Sequence, residues 1–598
     1  MLRPLTDRNA LLIVHYTLHA ASLVGLGGGG GSAIGQCSTT EFGWAATVGD
    51  THFDGANAVA VTPAGATFVT GTFTGDVDFN PGNKGDRHNS KGENDIFLSR
   101  YTPLGDYQWT VSMGGSSFDY GFGAHVTVAA DVLITGSFRE RVDFDATRTK
   151  DRRKSAGGAD IFLTLIHGDG SYGWTRTIGG PSSPDSARAV TTDGTGDIIL
   201  TGAFCDTVDF DPGKGVDRHT AVAGSDIFVT KLSSHGNFRW ARAFGGDSLV
   251  GGDYGWAVAT DGNDNSLATG QFYGRADFDP GPGEDIHHSM GEDDAFITSF
   301  GPGGEYRWTH TFGGTEGNDT GKAVVTDGEG NVYVAGSFAG TVDFDRRGAG
   351  DVRVARGASD AFLTCRTLDG SYRWTRTLGG DGTVGASGLA YNACSESLVL
   401  VGAFADTVDF DPGSGIDQRT ARGQRDGFLT RLSADGVYLG TVTFGGDGDH
   451  VPQSVAVDAE SSILVAGGFQ SSGADFDPTT GEDIHASNGG YDLFVLKLYC
   501  GPCESVERHA LTVTRKNALI GEVRALVPGG RVTVVCTPTD PPGEPVEARV
   551  SIDGENMGSY KLKKLKKGEY ACAITEVRDA DGKVVCDEPA GKRTVTVK

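Results

Sequence analysis

The residues best suited to chemistry in this sequence are aspartates that recur in pairs. The segment Val-Asp-Phe, or Ala-Asp-Phe at two places, is followed in most copies by a second Asp. In an extended chain Asp209 and Asp211 lie on one face, whereas Val208 and Phe210 lie on the other. Oxygen ligands at alternate positions suit a hard cation such as Ca²⁺. The candidate calcium ligands are Asp78, Asp209, Asp211, Asp277, Asp279, Asp409, Asp411, Asp475 and Asp477.

The same aspartates have a structural interpretation. Asp side chains cap backbone N–H groups in turns, and a motif repeated throughout the chain suits a loop-closing task that every repeat shares. The segment from Asp76 to Gly82 resembles a calcium loop superficially, but it lacks the distal bidentate Glu of an EF-hand and has Asn80 as its second polar residue. Calcium ligation and loop capping therefore both remain open at this point.

The spacing of the motif identifies the elements that position it. Its Asp residues are separated by 65, 66, 68, 66, 66 and 66 residues, and they are Asp78, Asp143, Asp209, Asp277, Asp343, Asp409 and Asp475. One unit reads as four short strands, at 187–191, 197–204, 226–232 and 238–244, with the aspartate pair in an insertion between the second and third strands. Such a regular unit predicts a repeat architecture of antiparallel four-stranded sheets.

The two ends of the repeat region complement each other. The last-strand motif, an aromatic residue two positions before Trp, occurs at Trp109, Trp174, Trp240, Trp308 and Trp374, whereas the seventh unit stops at 492–498 without a fourth strand. A spare copy, FGWAATVGD with Trp44, precedes the first unit. This N-terminal strand is expected to complete the last blade and leave no open sheet edge. The fold class predicted is all-β, a closed seven-bladed propeller.

One unit carries a family resemblance. The segment at 323–338, AVVTDGEGNVYVAGSF, resembles the SBBP-type β-propeller repeat found in exported bacterial proteins. The resemblance covers about residues 42–499, the predicted propeller domain. It implies a propeller fold and export, and it carries no established chemistry from which catalytic residues could be transferred.

The flanking segments have a different character. Residues 1–36 combine Arg3 and Arg8 with an apolar run at 10–26 and a glycine-rich stretch, which is typical of a secretory signal peptide and linker rather than a membrane span. Residues 505–598 read as short strands, and Tyr570 stands two residues before Cys572, which resembles the tyrosine corner of an immunoglobulin-like β-sandwich. Disulfides are expected among the C-terminal cysteines, with an inter-sheet pair between Cys536 and Cys572. Cys205, Cys365 and Cys394 are expected to be small buried groups.

Strand order gathers three acidic series on one face of the ring, here called the top face. Besides the paired aspartates, one series lies between the fourth and first strands (Asp54, Asp119, Asp185, Asp253 and Asp319), where Gly385 and Val451 interrupt it. Another opens the third strand (Asp95, Asp160, Asp226, Asp294, Asp360, Asp426 and Asp492). With a net charge of −27, the chain is expected to repel nucleic acids and to present an acidic top face to a protein, a glycan or cations.

No catalytic motif stands out, and an enzyme is the less favoured class. The sequence has no Gly-x-Ser-x-Gly elbow, zinc-binding His-Glu-x-x-His or phosphate loop, and the pair His287-His288 is expected to be solvated. The leading hypothesis is a secreted or cell-surface binding or scaffold protein, with cell-envelope association as an option. The alternatives are an extracellular polysaccharide hydrolase or lyase and a calcium-stabilised surface-layer or matrix protein. Symmetry-breaking loops of blades two (145–148), six and seven that line one pocket would favour a specific ligand.

Overall fold

A computed structural model describes residues 40–597 with several gaps. The gaps are 81–84, 146–149, 182–183, 249–250, 501–505, 514–518, 526–530, 541–545, 552–556, 563–567, 579–583 and 587–592. The predicted signal peptide and linker at 1–36 lie outside the described residues. The described part of the chain contains strands and turns but no α-helix, as the all-β prediction requires.

Residues 40–500 form antiparallel blades whose strands are here numbered first to fourth from the centre of the ring outward. Blade one contains Gly55–Val61, Thr67–Phe73, Asp95–Tyr101 and Tyr107–Met113; blade two Tyr120–Val126, Val132–Asp143, Arg152–Ile166 and Tyr172–Ile178; and blade three Ser186–Thr192, Ile198–Asp209, Arg218–Leu232 and Phe238–Phe244. Blade four contains Tyr254–Thr260, Ser266–Phe272, Asp294–Phe300 and Tyr306–Phe312; blade five Thr320–Thr326, Asn331–Phe338, Asp360–Thr367 and Tyr372–Gly380; and blade six Val384–Asn392, Ser397–Phe404, Asp426–Ser433 and Tyr438–Phe444.

Blade seven closes the ring. Its first three strands are Asp449–Val457, Ile463–Gln470 and Asp492–Cys500, and its fourth is the N-terminal strand Thr40–Val48. That strand pairs antiparallel with the third, with Trp44 opposite Lys497. Trp44 Nε1 also donates to the Pro103 carbonyl of blade one, at 3.3 Å. Both the closed seven-bladed propeller and its closure by the N-terminal strand are therefore confirmed.

The insertion of each blade is a short hairpin. In blades two and three it prolongs the second and third strands, and elsewhere it forms separate pairs: Asp76–Asp78 with Arg87–Asn89, Arg275–Asp277 with Ile286–His288, Thr341–Asp343 with Val352–Val354, Thr407–Asp409 with Gln418–Thr420, and Ala474–Asp475 with Ile484–His485. Val208 and Phe210 are fully buried, and the Phe210 ring lies 5.3 Å from Phe204 and 5.2 Å from Phe228. The apolar side of the motif thus anchors the insertion, as its alternation predicts.

Glycines allow neighbouring blades to approach closely. The first Gly after each fourth strand lies against the Asp that opens the third strand of the same blade, so that a Cβ on Gly245 would overlap the Asp226 carboxyl. The second Gly lies against the insertion of the next blade, where Gly246 pairs with Ala276. On the outer side of the ring, the turn residue Gly304 has a φ of 84°, and its equivalents in other blades have φ values of 74–88°. A Cβ at Gly304 would lie 2.8 Å from the Trp240 ring of the preceding blade. The Gly-Gly and Trp signatures of the repeat are therefore seam contacts.

The described C-terminal strands pair in two sheets. One contains Val506–Val513, Leu519–Ala525 and Met557–Leu562, and the other contains Arg531–Asp540, Val546–Ser551, Gly568–Arg578, Val584–Cys586 and Arg593–Val597. Cys536 and Cys572 are register partners on adjacent strands of the second sheet, which differs from the inter-sheet pair expected of an immunoglobulin-like fold. The immunoglobulin-like domain stays a prediction.

Candidate functional site

The first aspartate of each pair caps its own insertion. Asp209 Oδ1 accepts hydrogen bonds from the backbone N–H of Asp217 at 2.8 Å and of Asp211 at 3.3 Å. The same two contacts, from the residues two and eight positions later, recur at Asp78, Asp277, Asp343, Asp409 and Asp475. These carboxylates satisfy the loop backbone, as the capping hypothesis requires.

The second aspartate of each pair caps the tip of the loop. Oδ1 of Asp211 accepts from Gly213 N at 2.7 Å, and Asp279 and Asp411 make the same bond to Gly281 and Gly413. Asp477 accepts from Thr479 N at 2.9 Å. Within the described residues no three His, Cys, Asp or Glu side chains cluster in a way that would hold a metal ion. Calcium binding at the nine candidate ligands stays a hypothesis. Because their Oδ1 atoms accept backbone hydrogen bonds, fewer carboxylate oxygens are available to a cation than the sequence indicates.

The aspartates between the fourth and first strands are buried, and each hydrogen-bonds to the backbone of two adjacent blades. Asp185 Oδ2 accepts from Gly180 N at 2.9 Å and Oδ1 from Cys205 N at 3.0 Å, and Asp119 and Asp319 make the equivalent pairs of bonds. Asp185 is fully buried. Burial raises the pKa of its carboxyl to about 7, partly offset by the two N–H donors.

The series that opens the third strands is buried as well. Asp226 Oδ2 accepts from Val222 N at 3.0 Å, while its Oδ1 is buried and has no hydrogen-bond partner among the described residues. Burial raises the pKa of this carboxyl to about 6. Both series contain only residues that are less than 5 % exposed. The predicted acidic top face is therefore wrong for these two series, because folding uses them as internal caps.

The first strands of all blades surround a central cavity of about 820 Å³. Each first strand carries a β-bulge, and the bulged residue is left out of the pairing register with the second strand. These residues, here called the bulge ring, are Asn57, Phe122, Arg188, Trp256, Lys322, Ser387 and Gln453, and all except Gln453 are half-buried. Every member of the ring lines the cavity. Bulges re-aim side chains and are common beside functional sites.

Four consecutive members of the bulge ring form a cation–aromatic stack. The Arg188 guanidinium carbon lies 4.1 Å from the Phe122 ring centroid and 4.9 Å from that of Trp256. Lys322 Nζ lies 3.3 Å from the Trp256 ring centroid. The stack thus runs across blades two, three, four and five, and each contact is within the range of a cation–π interaction.

Neighbouring side chains fix the stack. Trp256 Nε1 donates to Gln271 Oε1 at 3.0 Å, and Gln271 Nε2 donates to Asp293 Oδ2 at 2.5 Å. On blade two, Phe118, Tyr120 and Phe122 form a ladder of nearly parallel rings with centroids 6.3 and 5.7 Å apart. Phe118 is 38 % exposed, so the ladder leads from the surface to the cavity as a flat apolar wall.

The stack is positively charged in a strongly acidic chain. Within the described residues no carboxylate pairs with Arg188 or Lys322, and Arg188 Nε is buried without a hydrogen-bond partner. Burial, followed by the nearby Arg188 charge, lowers the pKa of Lys322 to about 7. The described lining of the cavity contains no Asp or Glu. This arrangement favours a ligand with a negative charge.

Two of the symmetry-breaking positions belong to the same cavity. Gly385 of blade six and Val451 of blade seven both line it, together with Arg425. Arg425 forms a bidentate ion pair with Asp449, with contacts of 2.6 and 2.5 Å. Positions 146–148 of blade two lie outside the described residues. The sequence thus locates part of the lining but misses the bulge ring, whose members differ in every blade.

Some single-residue expectations are corrected. His287 is 8 % exposed and packs edge-on against Phe278, so the solvated pair predicted at His287-His288 is wrong for this residue, whereas His288 is exposed. Among the dispersed cysteines, Cys365 is buried as predicted, Cys205 is half-buried and Cys394 is exposed. An apolar strand buries Cys365, whereas Cys394 lies in a surface turn.

The comparisons with known proteins agree with the repeat architecture. The family model described as SBBP, β-propeller repeat, matches residues 307–337, which confirms the SBBP-type repeat for that segment. An uncharacterized WD repeat-containing protein of Acanthamoeba polyphaga mimivirus is 26 % identical over 44 % of this chain and 21 % of its own length. The chain therefore spans about a fifth of the curated relative it matches.

Two solved structures show weak similarity. A protein of unknown function from Bacteroides caccae is 12 % identical, with a TM-score of 0.27 over 54 % of this chain and 81 % of its own. A tetra-tandem repeat from the extending region of a large adhesion protein is also 12 % identical, with a TM-score of 0.12 over 90 % of this chain and 98 % of its own. TM-scores this low bear on neither fold nor function. Among the described residues, no helix has the length and apolarity needed to cross a membrane.

Proposed function

We propose that this propeller is a binding protein whose central cavity holds a carboxylate attached to a six-membered ring against the cation–aromatic stack. The proposal rests on a contrast between the residues at the seams between blades, which repeat, and the residues of the bulge ring, which do not. Capping aspartates and seam glycines repeat from blade to blade, whereas the bulge residue differs in each blade. It places Arg188 and Lys322 in one stack, and neither has a carboxylate partner among the described residues. The cavity of about 820 Å³ lies in the size range of small-molecule sites.

The stack supplies both parts of such recognition. Arg188 and Lys322 offer N–H donors for charge-assisted hydrogen bonds to a carboxylate. The Phe122 and Trp256 rings and the ladder from Phe118 provide flat apolar surface beside these charges. A uronic acid and an aromatic carboxylate share this chemistry. The WD repeat-containing name of the viral relative and the SBBP repeat also fit a binding or scaffold role.

Calorimetry on the full chain, with its intrinsic tryptophan fluorescence as a second readout, tests this proposal. The probes are digalacturonate and 4-hydroxybenzoate, each paired with its neutral counterpart, galactobiose and 4-hydroxybenzamide. We expect one acid to bind saturably and its neutral counterpart to bind at least about tenfold more weakly, which is roughly 1.4 kcal/mol. Equal binding of acid and amide, or no saturable response to either acid, would refute the proposal. Binding of digalacturonate would indicate a glycan ligand, and binding of 4-hydroxybenzoate would indicate an aromatic acid.

Matched variants locate the ligand. Arg188→Gln and Lys322→Gln are expected to weaken binding about tenfold each, because each removes one charge from a hydrogen-bonded pair with the carboxylate. Arg239→Gln is the control, because Arg239 is more exposed, lies on an outer strand and pairs with Asp197 at 3.2 Å. An equal loss in the control would place the ligand elsewhere. Consumption of the digalacturonate would instead support the alternative enzyme, a polysaccharide hydrolase or lyase.

We also infer export to the cell surface or the medium. The support is the basic and apolar composition of residues 1–36, together with the export that the sequence resemblance to the SBBP-type repeat implies. Expression in a bacterial host followed by fractionation tests this: the full chain is expected outside the cytoplasm, and the chain lacking residues 1–36 inside it. Cytoplasmic retention of both would contradict export.

A further inference from the structure

A second cavity lies at the seam between blades four and five, away from the bulge ring. Its volume is about 210 Å³. The lining side chains used below are His287 and His310 of blade four and Asp345, Arg346, Arg347 and Arg366 of blade five. Three guanidinium groups therefore meet in a small cavity of a chain whose net charge is −27.

Arg366 occupies a core position of its blade. It lies opposite Tyr372 at the end of the third strand, where the other blades place Tyr101, Ile166, Leu232, Phe300, Leu432 and Leu498. Arg366 is 4 % exposed. Its Nη2 donates to the Phe344 carbonyl at 2.6 Å and its Nη1 to the Gly370 carbonyl at 3.2 Å, but Nε has no hydrogen-bond partner in the part of the chain that the structure describes. A buried cation with an unused donor is costly unless something else meets it.

The other two arginines replace a turn that is standard elsewhere in the repeat. Blade five has Arg346-Arg347 where blades three, four and six have Pro-Gly. Arg346 Nη2 donates to the Gly313 carbonyl and lies 3.4 Å from Asp294. Arg347 Nη2 lies 3.4 Å from Asp285 and 3.3 Å from His287 Nε2. The two departures from the repeat, in the turn and in the core, thus occur in one blade and meet at one cavity.

The balance of charge in the cavity is positive. Asp345 lines the cavity, whereas Asp285 and Asp294 lie outside the described lining and pair with Arg347 and Arg346 at 3.4 Å each. Burial, with Arg366 and Arg347 nearby, lowers the pKa of His310 to about 3, so this imidazole is neutral at pH 7. Burial lowers the pKa of Arg366 to about 10, which leaves its guanidinium charged. Among the lining residues three guanidinium groups therefore face one carboxylate, and Arg366 is the one of the three without an ion pair among the described residues.

We propose that this seam cavity binds a tetrahedral oxyanion, phosphate or sulfate, held by Arg366 and the Arg346-Arg347 turn. Guanidinium groups offer several donors in a planar fork that suits such oxygens. A volume of 210 Å³ accommodates a small oxyanion and several waters. One water molecule takes about 30 Å³. Because its residues come from two blades, the anion would also join them. This site is independent of the function proposed for the central cavity.

Thermal unfolding and calorimetry of the full chain with inorganic phosphate and with sulfate test the proposal, against chloride at matched ionic strength. A ligand that binds only the folded chain raises the unfolding midpoint in a saturable way. Methyl phosphate is the third probe. Tighter binding of the monoester indicates a phosphoryl group on a larger molecule, and tighter binding of the inorganic ions indicates free anions; either supports the site. No saturable shift with any of the three would overturn it.

Two variants restore the repeat pattern and so are expected to fold. Arg366→Leu introduces the residue that blades three and six have at this position, and the double variant Arg346→Pro/Arg347→Gly restores the usual turn. Each is expected to raise the Kd for the anion at least about tenfold. The control is Arg373→Leu, since Arg373 is exposed on the following strand. Wild-type affinity in Arg366→Leu, or an equal loss in the control, would overturn the assignment.

Discussion

Lys322 Nζ lies 3.3 Å from the centroid of the Trp256 ring, and these two residues come from neighbouring blades. The ring partly replaces the water that an exposed ammonium would have, but a cation–π contact is weaker than full hydration. The positively charged Arg188 guanidinium also contacts the Trp256 ring, at 4.9 Å from its centroid. The amine is therefore less basic than an ordinary lysine, which gives the central cavity a charge that depends on pH near neutrality.

The lowered basicity predicts selective acylation of Lys322. Because its pKa is about 7, roughly half of this amine is neutral at pH 7, whereas exposed lysines remain almost fully protonated. Pulse labelling with acetic anhydride across pH 5–10, read by peptide mass spectrometry, should give a midpoint near pH 7 for Lys322. Arg188→Gln is expected to move the midpoint upward. Exposed lysines labelled in the same samples are the internal control. A midpoint near 10 for Lys322 would contradict the prediction.

The caps between blades predict a large loss of stability on truncation. Asp185→Ala leaves the N–H groups of Gly180 and Cys205 without acceptors inside the protein, which should cost about 2–4 kcal/mol. Urea denaturation gives the free energy of unfolding. Asp185→Asn should lose less, because the amide keeps one oxygen acceptor and the native carboxyl is close to neutral at pH 7. Equal losses in the two variants would contradict the capping role.

The architecture was predictable because each of its determinants repeats. The Val-Asp-Phe motif, the seam glycines and the complementary ends of the repeat occur at fixed spacing, and a ring is the fold in which all of them are satisfied at once. The burial of Asp226 and its equivalents was not predictable, because the glycine that receives its carboxyl lies about 20 residues away and approaches only after the blade pairs.

The bulge ring was missed for the opposite reason. Phe122, Arg188, Trp256 and Lys322 occupy the same place in their blades, but their chemistry differs, so a search for repeated residues passes over them. Their common direction comes from a bulge, and a bulge appears only when the first strand is in register with the second. The strand pattern alone gives no sign of it.

The aspartate pairs predict little response to calcium. Oδ1 of Asp209 and Oδ1 of Asp211 each accept backbone N–H groups, which leaves few carboxylate oxygens in one insertion for a cation that takes 6–8 ligands. The midpoint of thermal unfolding should be unchanged between EDTA and about millimolar Ca²⁺, the concentration range of weak extracellular sites. A saturable rise that Asp209→Asn and Asp411→Asn reduce would instead establish the calcium-stabilised alternative.

The buried caps predict an unusual dependence of stability on pH. Burial raises the pKa of Asp119, Asp253 and Asp319 to about 7, and that of Asp95 and Asp492 to about 6, from the ordinary value of 3.8. Between these values the folded chain binds more protons than the unfolded chain, so the stability contributed by these groups is lost as pH rises. The free energy of unfolding should therefore fall from pH 5 to pH 8.

Urea denaturation at several pH values measures this slope. The double variant Asp119→Asn/Asp253→Asn should flatten it, because an amide does not titrate in this range. Asp449 provides the contrast: its pKa is lowered, since the bonds from Arg425 and Tyr491 outweigh burial, and its stabilisation is lost only in stronger acid. Asp449→Asn should therefore leave the slope between pH 5 and 8 unchanged. A stability that rises with pH over this interval would show that the buried carboxyls are ionised in the folded chain, with their backbone N–H donors outweighing desolvation.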